Sequence, residues 1–364
     1  MERLIESIIV GRFNFFTMKS NWWKFLGVAL LVYSFIVGML VPLKPGIMQV
    51  SPSSFKTGDL ATLEVVGYNT FYQKSGEQRA WLKLDNDHQL AAQSIEVKGE
   101  REMTISFQLP PDLPGEDKVM DAALIIDNAI DGASVLPSAI FITRNSPSTS
   151  PTVWQNDLIA QLHEKSGMTY PYRNILAETI RNTYYHVPYW FAMMIIFIIA
   201  MVYSWKYLQS TDPQYDRKAA AFTSVGILYG ILGLITGAIW AKHTWGSYWS
   251  FDIKQNMAAI AMLVYLAYFV LRSSFEDEEK RARVSGVYNI FAFSSLIPLL
   301  FVIPRLTDSL HPGSGGNPGF GGDDLDNTMR MVLYPAVIGW LLLGCWMANL
   351  LHRMEALKEK IYGF

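Results

Sequence analysis

Long apolar runs alternate with mixed stretches along the chain. Six runs, at 25–43, 187–205, 219–241, 255–271, 284–304 and 331–351, contain no Asp, Glu, Lys or Arg. Each is close to the ~20 apolar residues that carry a helix across a bilayer, and Lys or Arg brackets each run. They predict six transmembrane helices. Between the first two runs the period drops to two. In MTISFQL, Met103, Ile105, Phe107 and Leu109 fall on one face and Thr104, Ser106 and Gln108 on the other. LATLEVV, RAWLKL, DAALIID and AIFITR behave alike, separated by the turn signals SPSS, GYN, DND, LPPDLPG and IDG. Half-buried strands at that spacing predict an Ig-like β-sandwich over 46–144. The fold class is therefore an all-α polytopic membrane protein with an inserted β-sandwich domain.

Three shorter segments complete the pattern. MERLIESIIVGRFNFF fits an interfacial helix or a disordered end equally well. SPSTSP (146–151) is a linker, and VWQNDLIAQLHEK after it predicts a short amphipathic helix carrying His163. Pro188 suits the first turn of the second span, since its missing N–H costs nothing there. That places His186 at the head of the span.

Composition sharpens this reading. Only 17% of residues are charged, against about 25% in soluble domains. A mean hydropathy of +0.17 is nevertheless low for spans alone, so the average mixes two populations. The net charge of −2 gives no basic excess for a nucleic-acid partner. A single cysteine, Cys345, excludes an internal disulfide, a CxxC redox pair and a cysteine zinc site; inside the sixth span it reads as a small apolar residue. The basic residues also orient the chain. Arg3, Arg12, Lys19 and Lys24, then Lys206, Arg217 and Lys218, then Arg272, Lys280, Arg281 and Arg283, then Arg353, Lys358 and Lys360 outweigh Lys242, Lys254, Arg305 and Arg330 in the alternate short loops. The richer set belongs in the cytoplasm. The tails 1–24 and 353–364 are then inside, and 44–186, 242–254 and 305–330 outside. No small-x-small cleavage site follows the first span, so it reads as an uncleaved anchor.

The candidate chemistry gathers on the outer side. Of six histidines, His88 falls in a turn, His163 on the amphipathic helix and His352 at the inner end of the last span; these read as structural or solvated. His186, His243 and His311 lie at the outer interface. Between them, WAKHTWGSYWSFD (240–252) packs Trp240, Trp245, Tyr248, Trp249 and Phe251 into one loop, with Gly246 allowing close approach. Such a cluster is either an interfacial aromatic belt or a flat apolar shelf for a planar ligand. A shelf flanked by histidines suits haem, whose iron accepts axial imidazoles and whose propionates want cations such as Arg181, Lys242, Lys254 or Arg305. Zinc competes, with Asp252 or His243 as a further ligand, but has no use for the aromatics. Asp85, Asp87, Asp127 and Asp131 in the β domain could hold calcium, though turn acids are usually just solvated.

These residues resemble the haem-handling family of cytochrome c maturation. Its WGxxWxWD signature is met at Trp245, Gly246, Trp249 and Asp252. Arg181, His186, Val187 and Pro188 meet the RxxxxHVP pattern of the narrower haem exporter protein C (CcmC) family. Thr236, Gly237, Trp240, Lys242, Trp245 and Gly246 meet its TGxxWxKxxWG run, and Leu310, His311 and Gly313 its LHxG element. The resemblance covers 25–43 and 180–352, within which 187–352 is the five-helix haem-handling part. Three departures stand out. Phe251 replaces the third signature tryptophan and loses an indole N–H. Lys254 stands where an Arg is frequent, a point charge in place of a fork. The domain at 46–144 is absent from compact members.

The resemblance implies that His186 and His311 are axial ligands to the iron of a non-covalent b-type haem. It implies a haem platform of Trp240, Trp245, Gly246, Tyr248, Trp249, Phe251 and Asp252 at the outer leaflet of a bacterial inner membrane. Arg181 and Lys254 are the candidate propionate contacts, and Asp252 a carboxylate that orients a ligand histidine or holds the loop backbone. His243 is not a ligand position in the family. The implied role is delivery of haem, not enzymatic turnover, to a periplasmic haem chaperone (CcmE-like). The implied partners are ABC transporter subunits (CcmA/CcmB-like), a small membrane subunit (CcmD-like) and membrane lipid. The absence of CxxCH fits a handler of haem. Two alternatives stand. One is a haem lyase subunit of the CcsA type, which shares the tryptophan-rich loop but usually continues it as WDPKE where this chain has FDIKQN. The other is a non-haem membrane receptor that uses the β domain.

Overall fold

The structure, a computed structural model, describes residues 15–145, 154, 159–174, 176–311 and 325–362. The linker at 146–151 and all but the last two residues of the expected interfacial segment 1–16 lie outside them. The chain divides into two compact units, Val41–Ile180 and Met1–Leu40 with Arg181–Phe364.

The first unit is the β-sandwich. Its strands are β1 (Gly46–Ser51), β2 (Ser54–Lys56), β3 (Leu60–Tyr68), β4 (Gln78–Lys83), β5 (Gln89–Ala91), β6 (Ser94–Val97), β7 (Glu102–Gln108), β8 (Val119–Asn128) and β9 (Ser134–Thr143). One sheet runs β1-β3-β7-β6 and the other β2-β9-β8-β4-β5. The first strand thus changes sheets: β1 pairs antiparallel with β3, whereas β2 pairs parallel with β9. This is the order of an immunoglobulin-type sandwich. The period-two pattern is its cause. Met103, Ile105 and Phe107 turn inward against Leu63, Leu82, Leu124 and Ile140, all essentially inaccessible. With no second cysteine available, an apolar core packs between the sheets where a disulfide would otherwise join them.

Two sequence expectations fail in this unit. Residues 159–165, expected in an amphipathic helix, are irregular. Their polar groups bond to the sandwich instead of along a helix. The Ala133 N–H donates to the His163 carbonyl at 2.9 Å, and the Gln161 carbonyl accepts from Arg79 at 2.7 Å. The second failure concerns the acids. Asp127 and Asp131 are buried, not solvated. Asp127 accepts from the His163 N–H at 2.8 Å, the His163 ring at 2.9 Å and the Arg79 guanidinium. Asp131 accepts from the Phe71 N–H and from Asn128. Asp85 is exposed and holds the turn by accepting from the Asp87 and His88 N–H groups.

Burial alone would push the Asp127 carboxyl up, but the His163 and Arg79 donors outweigh it and hold the group below the usual carboxylate range. A depressed folded value contributes stability above the unfolded value of about 3.9, and that contribution is lost as pH falls through the folded value. Asp127→Ala takes the carboxylate from Arg79 and from the His163 ring and N–H, while the Gln161 carbonyl still accepts from Arg79, and should cost about 1–3 kcal/mol. Hydrogen exchange on the full chain should show the amides of β4 and β8 losing protection in the variant. Protection unchanged at neutral pH would contradict the role given to Asp127.

The second unit holds six helices long and apolar enough to cross a membrane, among the described residues. They are α1 (Phe15–Leu40), α2 (His186–Ser210), α3 (Pro213–Trp245), α4 (Ile253–Ser273), α5 (Glu278–Ile297) and α6 (Asn327–Tyr362). The protein is a multi-pass helical membrane protein. Several helices outrun their apolar runs because capping, not hydropathy, sets their ends. At the start of α3, Asp212 accepts from the Gln214 N–H at 2.9 Å and Pro213 occupies the first turn. The fifth run does not stay α-helical. Pro298 offers no N–H, and the chain continues as a π-helical turn (Pro298–Val302) and a 3-10 turn (Ile303–Arg305).

Small residues let the spans approach closely, as expected where lipid removes the hydrophobic drive between helices. A Cβ on Gly339 of α6 would meet Leu31 of α1 at 2.9 Å, and one on Gly27 would meet Leu342 at 3.0 Å. Two polar pairings link helices inside the bundle. Arg272 of α4 grips Asp216 of α3 through both nitrogens at 2.7 and 2.5 Å, and Asn289 of α5 donates to Ser204 and Thr223 at 2.9 and 3.2 Å.

Candidate functional site

The head of α2, the α3–α4 loop and the segment after α5 meet at one end of the bundle. Between them lies a cavity of about 350 Å³, and its lining includes both His186 and His311. The remaining walls are mainly apolar, among them Trp190, Trp249, Leu300 and Pro304; Lys254 and Arg305 also line it.

Each histidine is held by a partner on one ring nitrogen. The Thr236 hydroxyl donates to the Leu232 and Gly233 carbonyls at 2.8 and 3.1 Å, so toward His186 Nδ1, 3.1 Å away, it presents an acceptor. A proton on His186 Nδ1 would satisfy that acceptor and leave the Nε2 lone pair available. Gly237 makes room for the ring, since a Cβ there would lie 2.7 Å from His186 Cε1. On the other side, His311 Nδ1 lies 2.7 Å from Asp252 Oδ1, so the carboxylate engages Nδ1 and Nε2 is the ring nitrogen it does not touch.

Asp252 organises this end of the bundle. It caps α4 by accepting from the Lys254 N–H at 2.9 Å. It also accepts from the Leu310 N–H at 2.7 Å, the Ser309 hydroxyl at 2.9 Å and His311. Burial alone would raise the carboxyl, but the His311, Leu310 and Ser309 donors hold it well below the usual carboxylate range. The side chain is 2% exposed, so the charge is held by protein donors.

The aromatics do not form one flat shelf. Trp240 and Trp245 cross at 74°, and the Trp245 ring sits edge-on to His311 with centroids 4.8 Å apart. Trp240 lies 5.9 Å from the same imidazole. Those two indoles pack against each other and against His311, whereas Trp249 lines the cavity. Tyr248 and Phe251 are exposed, at 60% and 77%. Gly246 is needed for a different reason than close approach. Its φ of +82° lets it end α3, its N–H bonding the Lys242 carbonyl at 3.1 Å, and nothing lies within 4 Å of a Cβ built there. The close-approach glycine is Gly237.

Of the cations considered, Lys254 and Arg305 line the cavity. Arg181 donates to the Gly38 carbonyl of α1 at 2.8 Å, and Lys242 donates to the Gly246 carbonyl at 2.8 Å. His243 is exposed. Among the described residues no group of three or more His, Cys, Asp or Glu is placed to hold a metal ion.

Sequence reasoning gave no structural role to Thr236, Ser309, Gln255 or Asn256. Gln255 accepts from the Ser250 N–H and hydroxyl at 3.0 and 3.1 Å, and Asn256 donates to the Phe251 carbonyl at 2.8 Å. These bonds hold the loop, including Phe251 at a φ of +57°. The available signal was the pair of amides opening an otherwise apolar run.

The fold and the site together define a multi-pass helical membrane protein with a mainly apolar cavity lined by two imidazoles and by tryptophan. The comparisons give the particular family. The family model described as heme exporter protein C matches residues 154–362, and the chain belongs to that family. A heme exporter protein C of Haemophilus influenzae is 27% identical over 189 residues, 50% of this chain and 73% of that protein. The Escherichia coli K12 protein of the same name is 26% identical over 183 residues, 49% of this chain and 73% of its own length. A Synechococcus cytochrome c biogenesis protein CcsA is 38% identical over a shorter stretch of 85 residues, 23% of this chain and 28% of that protein. The sandwich at 46–144 lies outside the matched region.

Proposed function

We propose that this chain holds haem non-covalently, as a b-type group ligated by His186 and His311, and delivers it to a periplasmic haem chaperone during cytochrome c biogenesis. The observation that carries this reading is the shared cavity, in which two histidines each have Nδ1 engaged and Nε2 left as a ligand. The site fits the group. Its donors are imidazoles, its walls are apolar and aromatic, and Lys254 and Arg305 supply positive charge for two propionates. That lining favours Lys254, with Arg305 beside it, over Arg181 as a propionate contact.

The residues of the chain act by positioning. Thr236 and Asp252 orient the two rings, Trp240 and Trp245 wall in His311, and Trp249 excludes water from the cavity. No covalent tether forms, so the cargo can leave. The basic residues orient the protein in a bacterial inner membrane with both tails cytoplasmic and with the cavity and the 46–144 domain on the periplasmic side. The remaining partners are an ABC transporter pair and a small membrane subunit. The β domain is a docking or spacer module.

The test is co-purification. Chain isolated from haem-replete membranes should carry haem by the pyridine haemochrome assay, and should label an added apo-chaperone. The same assays without residues 46–144 assign the sandwich its share. Haem-free protein from haem-replete cells refutes the reading.

A further inference from the structure

The cavity is not walled only by the bundle's interior. Phe191 and Phe301 line it, yet both belong to outward stripes of their helices. On α2 the exposed residues Phe191, Ile198, Val202 and Trp205 recur at helical spacing. Along α5 and its continuation, Phe291, Ile297, Phe301 and Val302 are exposed as well. In a membrane protein such stripes face lipid. A wall built from lipid-facing side chains is a wall the bilayer touches.

The backbone shows why the wall is thin there. α2 packs along α5, but the π-helical turn that continues α5 packs on α4 instead. The change of winding at Pro298 thus draws the chain away from α2 where the cavity begins. No residue of that π turn is buried. π-helical turns of this kind concentrate at functional sites.

We infer that the seam between α2 and the Pro298–Val302 turn, flanked by Phe191 and Phe301, is a side entrance through which an apolar planar ligand reaches His186 and His311 from the outer leaflet. The inference rests on the proposed haem reading and adds the source of the cargo, which is lipid-dissolved. An amphiphilic macrocycle partitions into the bilayer. A lateral route keeps its apolar faces out of water, while the cations Lys254 and Arg305 meet its charged edge.

The test measures the rate of ligation, by the change in Soret absorbance, on the full chain reconstituted in nanodiscs. Haemin is supplied either in phosphatidylcholine vesicles or in aqueous buffer. Phe301→Cys in a Cys345→Ala background is alkylated with N-benzylmaleimide to plug the seam; Phe191→Ala widens it. Plugging should slow transfer from vesicles about fivefold or more and slow the aqueous arm less, and widening should speed the vesicle arm. Equal rates from vesicles in plugged, widened and parent protein overturn the entrance. So does an equal slowing of both arms by the plug. Parent protein that ligates no haemin from either source fails the underlying haem reading, and the entrance with it. Ligation that proceeds in the parent but ignores the seam fails the entrance alone.

Discussion

Replacing either cavity histidine should abolish stable haem retention. His311→Gly or His186→Gly removes one of two nitrogens that face a common space, so the loss should exceed the ~10–100-fold typical of deleting an outer partner of a ligand. The spectrum separates ligation from misfolding. Retained haem should shift from a six-coordinate, low-spin, bis-imidazole form to a five-coordinate one, and free imidazole should restore the original bands by filling the space the side chain leaves. Wild-type retention and spectrum in both variants would rule out the assigned ligands. Because His186 heads α2 and His311 follows α5, the two effects reach the site through different elements.

Asp252 carries the next largest effect. Asp252→Ala removes the α4 cap, worth ~1 kcal/mol, and leaves the Ser309 and Leu310 donors and the His311 ring without their acceptor. Haem retention should fall about 10–100-fold, the usual consequence of losing a carboxylate behind a ligand histidine. Asp252→Asn separates the two roles. Its amide oxygen still caps α4 and still accepts from one donor, but the charge is gone. Helix content should match the parent, whereas the ferric–ferrous potential of bound haem should rise, because His311 becomes a weaker donor. An unchanged potential would reduce Asp252 to a purely architectural residue.

Much of this was legible in the chain because the relevant signals are local. Charge-free runs of membrane length mark spans whatever surrounds them, and the alternation at Met103, Ile105 and Phe107 requires a half-buried strand. His186 was readable from its place before an apolar run. What was illegible depends on contacts between distant segments. Nothing near His163 says that its segment will forgo a helix to bond Asp127, 36 residues away in sequence. Nothing near Thr236 says that a mid-span hydroxyl will meet Nδ1 of His186, 50 residues earlier. The aromatic cluster was visible as composition, but its division into indoles that flank His311, a wall at Trp249 and exposed rings at Tyr248 and Phe251 is a matter of where each side chain lands. Gly246 illustrates the same limit. The residue was singled out correctly and given the wrong reason, because a positive φ and a close contact leave the same letter in the sequence.

The grip of Asp252 on His311 has a thermodynamic consequence. A free imidazole would have to surrender its side-chain rotamers at the moment a ligand arrives. Here the ring is already fixed by the Asp252 carboxylate and flanked by Trp240 and Trp245, so its ordering was completed when the protein folded. Ligation then adds a bond without an accompanying entropy loss in the ligand side chain, and dissociation regains none. On the proposed haem reading, the affinity of the cavity then depends on bond strength and apolar burial, with no further cost for ordering His311.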